Sequence, residues 1–173
     1  IIACPADALA AAAKAAAKAG FAVEMLGDAL EGEARLLGAA HGVLARRAKS
    51  AGKPLCILSG GETTVSMAGA GRGGRNSEYL LGLAIELDGT SGIHALAADT
   101  DGIDGSEDNA GAFLAPDTLS RAHALGLDAK ALLDDNDSYG FFAALGDLLV
   151  TGPTRTNVND FRAILVASPD MVG

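Results

Sequence analysis

The chain has no tryptophan, and only 4% of its residues are aromatic. Rows of stacking rings for single-stranded nucleic acid are therefore not expected. Basic residues are outnumbered as well: 13 Lys and Arg stand against 22 Asp and Glu, a formal net charge of −9. Nucleic acid and anionic membrane surfaces attract an excess of Lys and Arg, so neither is an expected partner, and an anionic substrate must be gripped by local groups. Long apolar runs are missing: no stretch approaches the ~18 residues that cross a bilayer, and a soluble, cytoplasmic protein is expected. Cysteine is scarce. Cys4 and Cys56 show neither C-x-x-C nor Cys/His metal spacing and are expected to be buried free thiols rather than a disulfide. There is no G-x-x-x-x-G-K-[ST] and no G-x-S-x-G around Ser59 or Ser66, which sets aside a P-loop and a hydrolase triad.

What the chain does have is Ala, Gly and a 49% hydrophobic fraction. At 173 residues one core can bury about two thirds of the chain's surface, so one domain is the working count. The first residue is not Met and the opening residues read as a strand, which predicts a fragment of something longer. The pattern predicts strands at 1–4, 21–26, 55–58, 63–67, 94–98 and 161–167. Helices are predicted at 6–19, 30–48, 76–87, 116–125 and 137–146. Leu30, Ala34, Leu37, His41, Leu44 and Ala48 recur at steps of four and three, one helical face, and His41 on that stripe reads as a core-edge histidine. Strands alternating with helices predict an α/β layered domain, a largely parallel sheet flanked by helices.

Ligands gather at strand ends in such sheets, and glycine-rich polar segments flank the predicted strands. Ser59-Gly60-Gly61-Glu62-Thr63-Thr64 follows "LCIL" and is a candidate phosphate or substrate loop. Gly69, Gly71 and Gly74 spell G-x-G-x-x-G, and Gly73-Gly74-Arg75-Asn76 opens a helix. Free N–H groups and the positive end of that helix would face an anion there, with Arg75 adding a planar fork; the alternative is a surface turn capped by Asn76. Asp99, Asp101 and Asp104 crowd one loop, a repulsion that Mg²⁺ or a positioned arginine would offset; the alternative is a set of Asx-turns. An EF-hand is excluded because Ile103 stands where a fifth-position oxygen ligand is needed. Thr151 to Asp160 carries hydroxyls, amides and Arg155 but no general base, which fits phosphate or sugar-acid binding.

Five stretches occur in a recognisable order: Ser59 to Thr64, Gly73 to Glu78, Asp99-Thr-Asp-Gly-Ile-Asp-Gly105, Asp135-Asn-Asp137 with Phe141-Phe142, and Thr151-Gly-Pro-Thr-x-Thr-Asn-Val-Asn-Asp160. In them the chain resembles the C-terminal part of class II glycerate 2-kinases, the MOFRL family, many of whose members carry the name hydroxypyruvate reductase. The resemblance implies ATP- and Mg²⁺-dependent phosphorylation of the 2-hydroxyl of D-glycerate in a cleft between two α/β domains. Residues 1–173 would be the second domain, with the N-terminal domain and its catalytic lysine outside this chain, and the fragment alone is expected to be inactive. A homodimer stays open. By position in the motifs, Arg75, Asp101 and Asn157 resemble the family's functional arginine, aspartate and asparagine. Asp99 and Asp101 are the expected metal ligands, with either aspartate open as proton acceptor. Ser59, Gly60, Gly61, Glu62, Thr63, Gly73, Gly74, Asn76, Thr154 and Thr156 are expected at the substrate or phosphate. Arg155 departs from the small or uncharged residue usual there. Two rivals stand beside the kinase: a nicotinamide-dependent hydroxypyruvate reductase resting on G-x-G-x-x-G, and a non-catalytic metabolite-binding module.

Overall fold

A computed structural model describes residues 4–168. Helix α1 (Pro5–Lys18) is followed by β1 (Ala22–Leu30), α2 (Ala34–Ser50), β2 (Leu55–Gly61), α3 (Arg75–Leu87) and β3 (Ile93–Asp99). Then come β4 (Gly111–Leu114), α4 (Thr118–Ala124), α5 (Ala129–Asp134), α6 (Ser138–Leu145), β5 (Leu148–Leu149) and β6 (Asp160–Val166). The predicted strand at 1–4 lies largely outside the described residues. Cys4 itself is exposed at the start of α1, not buried, while Cys56 is buried on β2; both thiols are free. No helix among the described residues is long and apolar enough to cross a membrane.

The six strands form one sheet in the order β1-β2-β6-β3-β4-β5. It is mixed and mostly antiparallel rather than largely parallel. Only β1 and β2, joined through α2, pair in parallel, whereas β6 is antiparallel to both β2 and β3, and β4 is antiparallel to β3 and β5. The reason is connectivity. A parallel neighbour needs a crossover, but β3 passes to β4 through a loop, and β6, last in the chain, lies between β2 and β3 and antiparallel to both. The predicted strand at 63–67 is not one: it contributes a single bridge, Thr64 to Glu33, because Ser66 gives its N–H and hydroxyl to the Glu33 carboxylate instead. Helix α5 and strand β4 have no counterpart in the predicted pattern, being too short for a period to register.

Helices cover the two faces unequally. Leu9 and Ala16 of α1 pack on Cys56 and Leu58. The main core lies on the other face, where α2 through α6 surround α3 and bury Tyr79, Leu80, Leu81, Leu83, Phe141 and Phe142. Helix α3 is buried almost all round, as its apolar sequence predicts. Its fit against α2 depends on Gly38, where a Cβ would strike the Tyr79 backbone.

Inserting β6 between β2 and β3 decides where the chemistry can sit. The ends of β2 and β3 and the start of β6 meet on one edge, with Gly61 opposite Asp160 and Asp160 opposite Asp99.

Candidate functional site

Three carboxylates and one guanidinium occupy that edge. Arg75, the first residue of α3, points its Nε at both oxygens of Asp160 (2.9 and 3.0 Å), its NH2 at Asp99 (2.6 Å) and its NH1 at Glu62 (3.2 Å). The partners differ in depth: the side chains of Asp160 and Asp99 are 0% and 8% exposed, that of Glu62 64%. Burial alone would lower the pKa of Arg75, but the hydrogen bond and charge of Asp160, then the charges of Asp99 and Glu62, raise it above its ordinary value. Asp99 is pushed up by burial, opposed by the Asp101 N–H and by Arg75. The Glu62 contact is the longest and wettest of the set, so an incoming oxyanion can displace it at little cost.

The start of α3 departs from its expected role. The N–H groups of Asn76 and Ser77, which the sequence offers to a bound anion, already donate to Asp104 at 2.9 and 2.8 Å, and the Ser77 hydroxyl adds a third bond at 2.7 Å. A fully buried carboxylate thus caps the positive end of the helix. Burial raises the pKa of Asp104 against the pull of those donors. Asn76 is buried and structural, bridging Asp160 (2.8 Å) and Asp104 through its amide. Gly74 packs where a Cβ would meet Asp104, and Gly73 where one would meet the Ser138 hydroxyl.

The glycines of G-x-G-x-x-G have the same explanation. Ala68 and Gly69 give their N–H groups to the Asn136 side chain (2.7 and 3.0 Å), and Ala70 to the Asp135 carboxylate. Gly71 donates to the Asp135 carbonyl, and Arg72 to the Asp137 carboxylate. At Gly69 and Gly71 a Cβ would run into Asp135 and Asp137. No row of N–H groups is left for a pyrophosphate, which is what a dinucleotide loop requires.

The remaining predicted residues divide. Ser59 is buried within β2, and Gly60 and Gly61 pair with β6. Gly61 adopts φ +124° where a Cβ would strike the Leu30 backbone, so both are scaffold. Thr63 turns inward and accepts from Arg162 at 3.2 Å. Thr154, Thr156 and Asn157 sit exposed on the loop before β6. Thr154 is tied to the Asp99 loop by its N–H to the Asp101 carbonyl (2.9 Å), and the Asn157 side chain closes a local turn on Asn159 (3.1 Å). Asn157 does not reach Arg75 here. Asp101 gives its N–H to Asp99 and takes the Ile103 N–H on one oxygen, an Asx-turn of the kind anticipated.

No group of three or more His, Cys, Asp or Glu among the described residues is arranged to hold a metal ion. Mg²⁺ commonly takes only one or two carboxylates and fills its shell with water and phosphate oxygens. Asp101, whose second oxygen has no protein partner among the described residues, fits that role. Asp99 fits it less well, because both its oxygens are engaged.

Sequence reasoning passed over two residues of this site. Asp160 ends the last of the five motif stretches, and Arg162 lies outside all of them. The signal lay in "DFRAILV": Asp160, Arg162 and Ile164 alternate with Phe161, Ala163 and Leu165, which puts two opposite charges on one face of a central strand. A cavity of about 540 Å³ lies elsewhere, between α1 and the face of the sheet formed by β2, β6, β3 and β4.

The MOFRL family model matches residues 55–160. A protein of Agrobacterium vitis named "Putative hydroxypyruvate reductase" is 56% identical over 172 residues, covering 96% of this chain and 39% of that protein. The D-glycerate 2-kinase of Thermotoga maritima is 41% identical over 145 residues, 82% of this chain and 35% of that one. The crystal structure of a glycerate kinase from Thermotoga maritima matches with a TM-score of 0.91 at 37% identity, over 95% of this chain and 41% of its own. The chain spans between 22% and 45% of the length of the curated relatives it matches. With this much of its length matched at this identity, the chain belongs to the MOFRL family.

Proposed function

We propose that this chain is the C-terminal half of a glycerate 2-kinase, which moves the γ-phosphoryl group of ATP to the 2-hydroxyl of D-glycerate and releases 2-phosphoglycerate and ADP. The observation that carries the reading is the posture of Arg75, anchored through Nε on a buried carboxylate while its NH1 reaches only an exposed glutamate. Phosphoryl transfer asks the protein for positioning and charge stabilisation more than for covalent chemistry. A guanidinium fixed on one side and replaceable on the other supplies both, exchanging Glu62 for a phosphoryl or glycerate carboxylate oxygen. Asp101 accepts the proton of the glycerate hydroxyl or would hold Mg²⁺, which would supply positive charge to offset that of the phosphates. Asp99 keeps Arg75 in line, and Asn157 with Thr154 and Thr156 turns toward substrate from the exposed loop. The remaining part of the parent protein supplies the opposite wall of the cleft, so the isolated chain gives no turnover.

The name carried by the 56% identical relative keeps a hydroxypyruvate reductase as the second reading. Against it stands the glycine loop, whose N–H groups are spent on Asp135, Asn136 and Asp137. Giving the full-length parent D-glycerate with ATP-Mg²⁺ and, in parallel, hydroxypyruvate with NADH separates the two. ADP formation with the first pair is expected; NADH consumption without ADP formation would sink the kinase.

A further inference from the structure

Arg162 is among the largest fully buried side chains of the protein, at 1% exposure. Burying a guanidinium is costly unless its donors are matched, and here they are not: Nε and NH1 have no partner among the described residues. Its face lies over the Tyr79 ring at 5.3 Å, and Tyr79 in turn shares a hydrogen bond with His41 at 2.8 Å. One strong interaction remains, NH2 to Asp160 at 2.6 Å, with a longer bond from the same nitrogen to Thr63. A residue held at such cost for so few partners is not explained by stability, because an apolar side chain of its size would serve the core as well.

Its partner shows what the contact does. Asp160 is wholly buried and takes three donors at once: Arg75 from the site side, Asn76 from α3, and Arg162 from beneath. One oxygen accepts from Asn76 and the other from Arg162, so the carboxylate plane cannot rotate, and both oxygens are left facing Arg75 Nε. Arg162 and Asp160 are two residues apart on β6 and share a face, so the strand itself sets the distance between them.

We infer that Arg162 is a positioning residue for Arg75: it fixes the plane of Asp160, and Asp160 fixes the guanidinium edge that faces the substrate. This rests on Arg75 being the charge-stabilising group of the proposed reaction, but its structural half can be tested without any turnover. In the 173-residue chain, the Arg75 Nε–H resonance, assigned by its loss in Arg75→Lys, should exchange slowly with water. In Arg162→Met it should exchange at least about tenfold faster while the thermal unfolding transition stays cooperative, because a clamped donor exchanges only on opening. Arg162→Lys, which can still give one donor to Asp160, should restore slow exchange; should the Met variant fail to fold, Arg162→Leu, equally without a donor, takes its place. Unchanged Arg75 exchange in a folded Met or Leu variant overturns the inference.

In the full-length parent, Arg162→Met should lower kcat by at least about tenfold with KM values nearly unchanged. Combined with Arg75→Lys it should cost little beyond Arg75→Lys alone, since residues acting through one group are not additive. Full additivity would show that Arg162 acts by another route and overturns the assignment. A parent without kinase activity defeats the functional reading, and the exchange measurement still decides whether Arg162 positions Arg75.

Discussion

Two loops of this chain, one glycine-rich at 68–74 and one rich in threonine and asparagine at 151–159, behave in opposite ways. The loop at 68–74 is stitched residue by residue to the segment at 135–139, with five of its N–H groups donated to Asp135, Asn136 and Asp137, and Tyr139 donating back to the Arg72 carbonyl. The loop at 151–159 is exposed at Thr151 and from Pro153 to Asn157, and its side chains bond largely to its own turn or to Thr100. Two loops that the sequence offers alike as ligand sites are therefore a scaffold in one place and a solvated rim in the other. What separates them is which groups take the backbone N–H donors: a loop with its donors spent can aim a side chain, as the first aims Arg75, and a loop with donors to spare can meet a ligand.

The comparison breaks most visibly if the stitching is cut. Asn136 sits at φ +59° and joins Ala68, Gly69, the Ser66 carbonyl and the buried Glu78 through one amide. Asn136→Ala should cost about 4 kcal/mol, the sum of unpaired buried groups and a left-handed backbone that alanine resists. Denaturant unfolding of the chain reads it, and a loss under about 1 kcal/mol would mean that the loop holds itself. Thr154→Ala at the open loop, by contrast, should leave the midpoint nearly unmoved.

Next in size is a pH effect beneath the locked region. Burial first, then the Arg162 charge, lowers the His41 pKa from 6.5 to about 4. Between these values the unfolded chain binds a proton that the folded chain refuses, so stability is full above pH 6.5 and falls as pH drops toward 4. The loss is at most about 3 kcal/mol. Asp99 and Asp104 carry the opposite sign, since their raised pKa values favour the folded state at low pH. The contribution of His41 is therefore read as a signed difference: the unfolding free energy at pH 7 minus that at pH 4.5 should be lower in His41→Gln than in the native sequence. Equal slopes would show that His41 titrates normally.

What the locked loop aims should show in activity. Arg75→Ala in the full-length parent should lower kcat/KM by at least about 100-fold, some 2.7 kcal/mol of transition-state stabilisation. Near-native kinetics would make Arg75 a strut between Asp160 and Asp99.

Much of this was legible in the sequence, and what was not shares a physical cause. Helices α1, α2 and α3 and strands β2, β3 and β6 announce themselves by periodicity and by Gly or Pro stops, because those signals are local. Sheet direction is not local: nothing within "DFRAILV" says that it will insert between β2 and β3 against both. The site divides along the same line. Arg75, Glu62 and Asp99 stand in motifs and were named. The fate of the α3 N-terminus was missed, because Asp104, which fills it, lies 28 residues from Asn76 in sequence. Arg162 was missed because a charged residue on a central strand shows its partner only once the face of the strand is known.

The smallest effect belongs to the open loop and tests whether it is a rim in its own right. Arg155 stands at φ +60°, in the left-handed region, exposed and without a side-chain partner among the described residues. An L-residue with a Cβ pays about 1 kcal/mol there, which gives a physical reason for the small residue usual at this place in the resembling family. Glycine recovers that cost but gains freedom in the unfolded chain, so Arg155→Gly should stabilise by only about 0.5 kcal/mol. Arg155→Ala, which removes the charge and keeps the strain, should not stabilise at all. If the loop meets substrate through its threonines and Asn157, neither change alters KM for ATP or glycerate in the parent. A several-fold rise in KM for ATP in both variants would instead make Arg155 a phosphate contact, and the loop's exposed backbone would then be holding a charge in reach of the nucleotide at the expense of its own conformation.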